Sequence, residues 1–258
     1  MGVREVVARP EDHEMARNFK RAVIKRGLRR SGLCVGRWSA LDDDNVSTDT
    51  QLNRRPLQTR SKKWAQALAA WMARTGFSPN GVSMLGLGFA AAGAGAMLAG
   101  WWWAGAVCVQ LRLLCNMLDG LIAVEHGKGD KLGGFFNEVP DRAEDVLLLV
   151  AAGYGGSVAT GADGLSVVAP TLGWAAAVLA LGTAYLRQAG GAMGLAQDFC
   201  GPMAKQHRMF VLTVTLIAAG FAPRAGDVVE IGLAVIVVGA AATVIRRIVR
   251  LAEALKAR

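Results

Sequence analysis

Two stretches of the chain set carboxylates and amides among apolar residues, at spacings that align them. Asn116, Asp119 and Ala123 recur at i, i+3 and i+7, and Gly133, Asn137, Asp141 and Asp145 at i, i+4, i+8 and i+12, so each set shares one helix face. An ionisable side chain at hydrocarbon depth is costly unless it is paired, hydrated or bound to a cation, which makes such residues functional candidates. A short polar loop from His126 to Lys131 joins the two segments, so they can run antiparallel with these faces opposed. Oxygen donors presented by two facing helices suit a hard divalent cation such as Mg2+ or Mn2+. Gly120 and Gly133 leave room for a ligand to approach the backbone. The competing reading is polar residues at helix ends, satisfied by water and Lys131; the shared faces argue for a site.

The elements that must hold these residues are apolar helices. The chain has 258 residues, 53% of them hydrophobic and only 19% charged, where a soluble domain carries about 25%; the mean hydropathy is +0.32. Six apolar windows are long enough, or nearly so, to cross a bilayer: roughly 79–100, 101–124, 132–153, 165–187, 209–222 and 228–245. The fold class expected is therefore all-α integral membrane, with six transmembrane helices. Lys and Arg are enriched at 126–131, 205–208 and 246–258 and scarce at 101–103, 155–163 and 223–227. By the positive-inside rule the basic segments and both termini are cytoplasmic, with Trp101, Trp102 and Trp103 at the opposite interface. Small residues crowd the first window at Gly86, Gly88, Ala90, Ala91, Ala92, Gly93 and Gly95, and Gly190 and Gly194 lie one turn apart beyond the fourth, which permits close packing or simple flexibility.

The net charge of +9 belongs mainly to one end, since 16 of the 29 Lys and Arg lie within residues 1–74. A nucleic-acid partner is not expected, because seven of the 17 aromatics are Trp and these group with apolar runs rather than with a basic folded surface. Cys34, Cys108, Cys115 and Cys200 lack CxxC spacing and read as small hydrophobes, so neither disulfides nor zinc are expected. No signal peptide is visible. Residues 56–74 place Leu57, Trp64, Leu68 and Trp71 or Met72 on one stripe with Arg60, Lys62 and Lys63 elsewhere, the pattern of an amphipathic helix on the cytoplasmic leaflet. Residues 1–55 combine a basic run with an acidic cluster at Asp42–Asp44 and little periodicity, and read as a weakly ordered extension ahead of a membrane domain spanning 56–258.

The ordered residues resemble a known family. Integral-membrane CDP-alcohol phosphotransferases carry D-x2-D-G-x2-A-R-x8-G-x3-D-x3-D, and without gaps Asn116, Asp119, Gly120, Ala123, Val124, Gly133, Asn137 and Asp141 fall on its eight fixed positions, five of them matching. Gly76-Phe77-Ser78-Pro79-Asn80 resembles the family's G-x-[ST]-P-N at the start of its first span, and six helices behind an amphipathic one is the family's layout. The resemblance spans about residues 57–258. It implies transfer of a substituted phosphate from a CDP-linked donor, commonly CDP-diacylglycerol, to a small alcohol acceptor, with release of CMP. It further implies an inner-membrane enzyme of phospholipid synthesis, with a homodimer allowed. On the same ground Asn116, Asp119, Asn137 and Asp141 are metal positions for Mg2+ or Mn2+, Asp141 is the general base, and Gly120, Ala123 and Gly133 line the cytidine nucleotide.

Asn116 and Asn137 stand where the motif has Asp, and Val124 where it has Arg. Amide oxygens can still ligate a metal, but two negative charges and a phosphate contact are gone. The N-x2-D-G and N-E-x2-D halves resemble a divergent bacterial subgroup of the family, and Glu125, Glu138 and Asp145 could restore charge or simply be solvated. Arg112, one turn before Asn116, could pair with the acidic site or contact a phosphate. Lys205, His207 and Arg208 could receive an anionic acceptor, though topology alone explains them and is the preferred reading. A catalytically silent nucleotide- or lipid-binding relative is the alternative function. A small transporter is less favoured, because no internal repeat is visible.

Overall fold

The computed structural model describes residues 63–125, 133–160 and 167–257, all within one compact unit, Asp44–Arg258. The 1–55 extension, the 56–62 start of the amphipathic segment, the 126–132 loop and the 161–166 loop lie outside the described residues. Seven helices follow in order: α1 (Lys63–Arg74), α2 (Pro79–Leu98), α3 (Trp102–Glu125), α4 (Gly133–Ala159), α5 (Val168–Ala192), α6 (Lys205–Phe221) and α7 (Ala225–Lys256). The described residues are thus all-helical. Four helices, α2, α3, α5 and α7, are long and apolar enough to cross a membrane. The other two long windows differ for plain reasons: α4 carries Glu138, Asp141, Arg142, Glu144 and Asp145 in its first half, and α6 has 17 residues.

Local chemistry sets the hinge between α1 and α2. Gly76 at φ +92° turns the chain out of α1, and Phe77 N–H bonds back to Met72 C=O at 3.0 Å, closing the helix end as a glycine C-cap does. Ser78 then caps α2, its Oγ accepting from Gly81 N–H at 3.1 Å, with Pro79 at the first helical position where no N–H is needed.

Packing joins the long helices in a ring, α3–α2–α4–α5–α7–α6 and back to α3, with α4 also against α7 and α1 laid on α3. The backbones of α3 and α4 touch little and α2 packs broadly on both, while the polar faces of α3 and α4 still meet through side chains, Arg112 and Asn116 reaching Asp141, Glu144 and Asp145. Gly86 and Gly93, one heptad apart, make the packing of α2 possible. A Cβ at Gly93 would stand 2.8 Å from Cys108 Cβ on α3, and one at Gly86 3.0 Å from Glu144 Oε1 on α4, whereas Gly88 and Gly95 meet nothing. The main core gathers Met97, Val109, Leu148, Leu149, Leu212, Leu216, Leu233 and Ile236, all buried. Large apolar side chains cover the outside as well, including Met84, Leu85, Trp174, Val178, Tyr185, Ile231, Val235 and Val238.

The face of α1 packed on the protein is Ala65, Ala69 and Met72, because small alanines allow close approach to α3 where indoles would not, and Trp64 and Trp71 are exposed. Trp102 is buried, and Trp101 and Trp103 are exposed. The basic segment after Ile245 continues α7 to Lys256, with Arg247 buried.

Candidate active site

Residues 110–120 of α3, the first half of α4, the last turns of α5 and α7 and the first turn of α6 border an open pocket of about 550 Å3. Helical spacing puts Asn116, Asp119 and Gly120 on its α3 wall, and Asn137, Glu138, Asp141 and Arg142 on its α4 wall. Arg187 of α5, Lys205 and Arg208 of α6 and Arg247 of α7 complete it, and Trp64 of α1 reaches the rim. The structure thus brings together Asn116, Asp119, Gly120, Asn137 and Asp141. Ala123 lies half-buried one turn beyond Gly120, outside the pocket lining, and Gly133 is the first residue of α4.

Each carboxylate has its own partners. Asp119, buried, accepts from Ser83 Oγ on α2 at 2.7 Å and from Gly120 N–H at 2.5 Å. Asp141 Oδ1 accepts from Asn116 Nδ2 at 2.7 Å and from Arg112 Nη2 at 3.1 Å and is ion-paired with Lys205 Nζ, while Oδ2 lies 3.2 Å from Arg142 Nη1. Asn116 Nδ2 also donates to Glu144 Oε2 at 3.1 Å.

Beneath the pocket floor lies a fully buried ionic group. Arg112 binds Glu144 through Nε, and through Nη2 binds Asp145 Oδ1 at 2.6 Å and the Asp141 main-chain oxygen at 3.2 Å. Arg208 Nη2 meets Asp145 Oδ2 at 2.5 Å. Charges removed from water this completely persist only in mutual pairing. Further out, Glu138 pairs with Arg142 and, at 2.6 Å, with Arg187, whose guanidinium also lies 5.4 Å from the centre of the Phe199 ring. Arg247 donates to Cys200 O at 3.0 Å and to Thr183 O.

These contacts decide between readings that the sequence left open. Arg112 pairs with the acidic residues. Lys205 and Arg208 have carboxylate partners whatever their topological role: Arg208 is 1% exposed and locked to Asp145, Lys205 sits on Asp141, and His207 is exposed. Glu138 serves ion pairs rather than loop solvation. Ser83, Glu144, Arg187 and Arg247 were not anticipated. Glu144 alone left a signal, its i+3 position from Asp141; the others act across 36 to 64 positions of sequence.

No group of three His, Cys, Asp or Glu side chains spaced for a metal occurs among the described residues. The oxygen donors that share a cleft are mixed instead: Asn116, Asp119, Asn137 and Asp141 border one narrow recess with Glu144 behind them. That set fits a hard cation only if the amide oxygens take part.

No family model matches the chain. It is 33% identical over 167 residues to phosphatidylinositol phosphate synthase of Mycolicibacterium smegmatis, covering 64% of this chain and 72% of that protein. It is 28% identical over 191 residues to the enzyme of the same name from Streptomyces avermitilis, covering 70% and 75%. Crystal structures of Mycobacterium tuberculosis phosphatidylinositol phosphate synthase share the fold: with CDP-DAG bound, TM-score 0.63 at 22% identity over 74% of this chain and 94% of that one, and with manganese and citrate, 0.63 at 22% over 72% and 88%. The chain belongs to the CDP-alcohol phosphotransferase family.

Proposed function

We propose that this protein transfers a substituted phosphate from CDP-diacylglycerol to a small alcohol, releasing CMP, in phospholipid synthesis. The observation that carries the reading is the convergence of Asp119 and Asp141, from two helices, on one pocket at the motif's spacing. The acceptor hydroxyl oxygen attacks the lipid-linked phosphorus, the bond from that phosphorus to the oxygen bridging to CMP breaks, and the hydroxyl proton passes to Asp141 as general base. Asn116, Asp119, Asn137 and Asp141 would hold Mg2+ or Mn2+, which when bound supplies positive charge against the donor pyrophosphate. Gly120, Ala123 and Gly133 line the path of the cytidine nucleotide. Arg112 and Asn116 hold Asp141 in place from the α3 side.

The outward apolar faces of α2, α5 and α7 support a multi-pass inner-membrane protein, with α4 and α6 completing six spans and Trp64 and Trp71 of α1 resting on the cytoplasmic leaflet. The membrane domain takes in residues 56–258, residues 1–55 form a separate extension, both termini are cytoplasmic, and a homodimer is compatible with this layout. A catalytically silent relative is the second reading, favoured by one observation: Asp141 is engaged by four donors. Purified protein given CDP-diacylglycerol, Mn2+ and a set of alcohols separates the two. The transferase releases CMP with at least one alcohol, and membranes lacking the protein lose the matching phosphodiester lipid; nucleotide binding without CMP release in any combination identifies the silent relative.

A further inference from the structure

Asp141 has more donors than its geometry accommodates. A carboxylate oxygen offers two lone-pair directions, yet Oδ1 alone receives Asn116 Nδ2 at 2.7 Å, Arg112 Nη2 at 3.1 Å and the Lys205 ammonium. The donors differ in how firmly they are held. Arg112 has no exposed side-chain surface and is tied also to Glu144 and Asp145. Asn116 shares its amide with Glu144, and Arg142 shares its guanidinium with Glu138. Lys205 lies at the start of α6 and faces the pocket, its side chain is 21% exposed, and it reaches Asp141 on a flexible four-carbon stem. It is the donor that can leave.

We infer that Lys205 is a tethered counter-cation of Asp141, occupying in the absence of nucleotide the position that a divalent ion would take beside this carboxylate. The inference rests on the proposed reading that Asp141 belongs to the metal and base site. An ammonium and a divalent cation cannot both sit against this carboxylate, because like charges at that separation repel. Metal therefore enters beside Asp141 only as Lys205 swings away, and the freed ammonium is then available to the anionic donor. In a site where two acidic positions are asparagine, a built-in monovalent cation keeps the remaining carboxylates neutralised until the donor brings its own negative charge.

The test is Mn2+ titration of the full-length protein in nanodiscs, without nucleotide, by calorimetry and by electron paramagnetic resonance of free Mn2+. Lys205→Met should bind Mn2+ at least about tenfold more tightly than the natural protein, whereas Lys205→Arg, which keeps the charge, should bind like the natural protein. Asp141→Asn in the Lys205→Met background should abolish the gain. Equal affinity in the natural protein and Lys205→Met, or a gain that survives loss of Asp141, overturns the inference. Because no donor is present and no CMP is measured, the outcome stands apart from that of the transferase assay.

Discussion

Ser83 Oγ on α2 lies 2.7 Å from Asp119 Oδ2 on α3, a hydrogen bond between residues 36 positions apart that orients a carboxylate from outside its own helix. Hydrogen bonds to charged groups contribute about 1.5–3 kcal/mol. Ser83→Ala should therefore weaken Mn2+ binding about tenfold with little change in thermal stability. Calorimetry beside a melting curve checks this; unchanged affinity would mean that Asp119 needs no help from α2.

Asp119 and Asp141 come from different helices and face one pocket. Asp119→Asn and Asp141→Asn should each lower CMP release at least about a hundredfold, the lower range for loss of a general base, with the fold retained. Near-full turnover by either variant, measured with saturating CDP-diacylglycerol and Mn2+, would remove that residue from the mechanism.

Asn116 donates to both Asp141 and Glu144. An aspartate there would replace the donor by a third negative charge, and like charges so close disfavour ionisation of all three. Asn116→Asp should melt lower than the natural protein in a chelating buffer and recover when Mn2+ is added. Restoring Asn137→Asp as well should tighten metal binding before nucleotide arrives without raising turnover in proportion. Differential scanning fluorimetry in EDTA and in Mn2+ reads the first effect; equal melting in both would show that no cation takes the place of the amide.

Arg208 and Asp145 are each about 1% exposed and meet at 2.5 Å. Removing one partner of such a pair costs about 3–5 kcal/mol, because the other charge stays buried. Arg208→Met should destabilise by that order, and Arg208→Met with Asp145→Leu by less. Denaturant unfolding in mixed micelles gives the comparison; a double variant as unstable as the single would shift the cost from charge to packing.

Much of the architecture was legible before any coordinates. The apolar windows and the shared faces of Asn116 with Asp119 and of Asn137 with Asp141 follow from residue types and spacings within one or two turns, which a helix turns directly into geometry. Helix ends were less legible. The α7 helix runs to Lys256, and its Arg247 finds Cys200 O and Thr183 O, partners 47 and 64 positions away, acceptors that nothing in the basic segment announces.

By itself, then, the sequence determined which residues could share a helix face and that apolar helices would have to enclose them. Only the tertiary structure decided what those residues do for one another. It packed α2 on both α3 and α4 through Gly86 and Gly93, turned Arg112 and Arg208 inward, and laid Lys205 on Asp141. Helical faces are set by bonds between residues four apart, whereas a buried charge takes whichever opposite charge the packing of distant helices brings within reach, and that choice exists only once the ring of helices has closed.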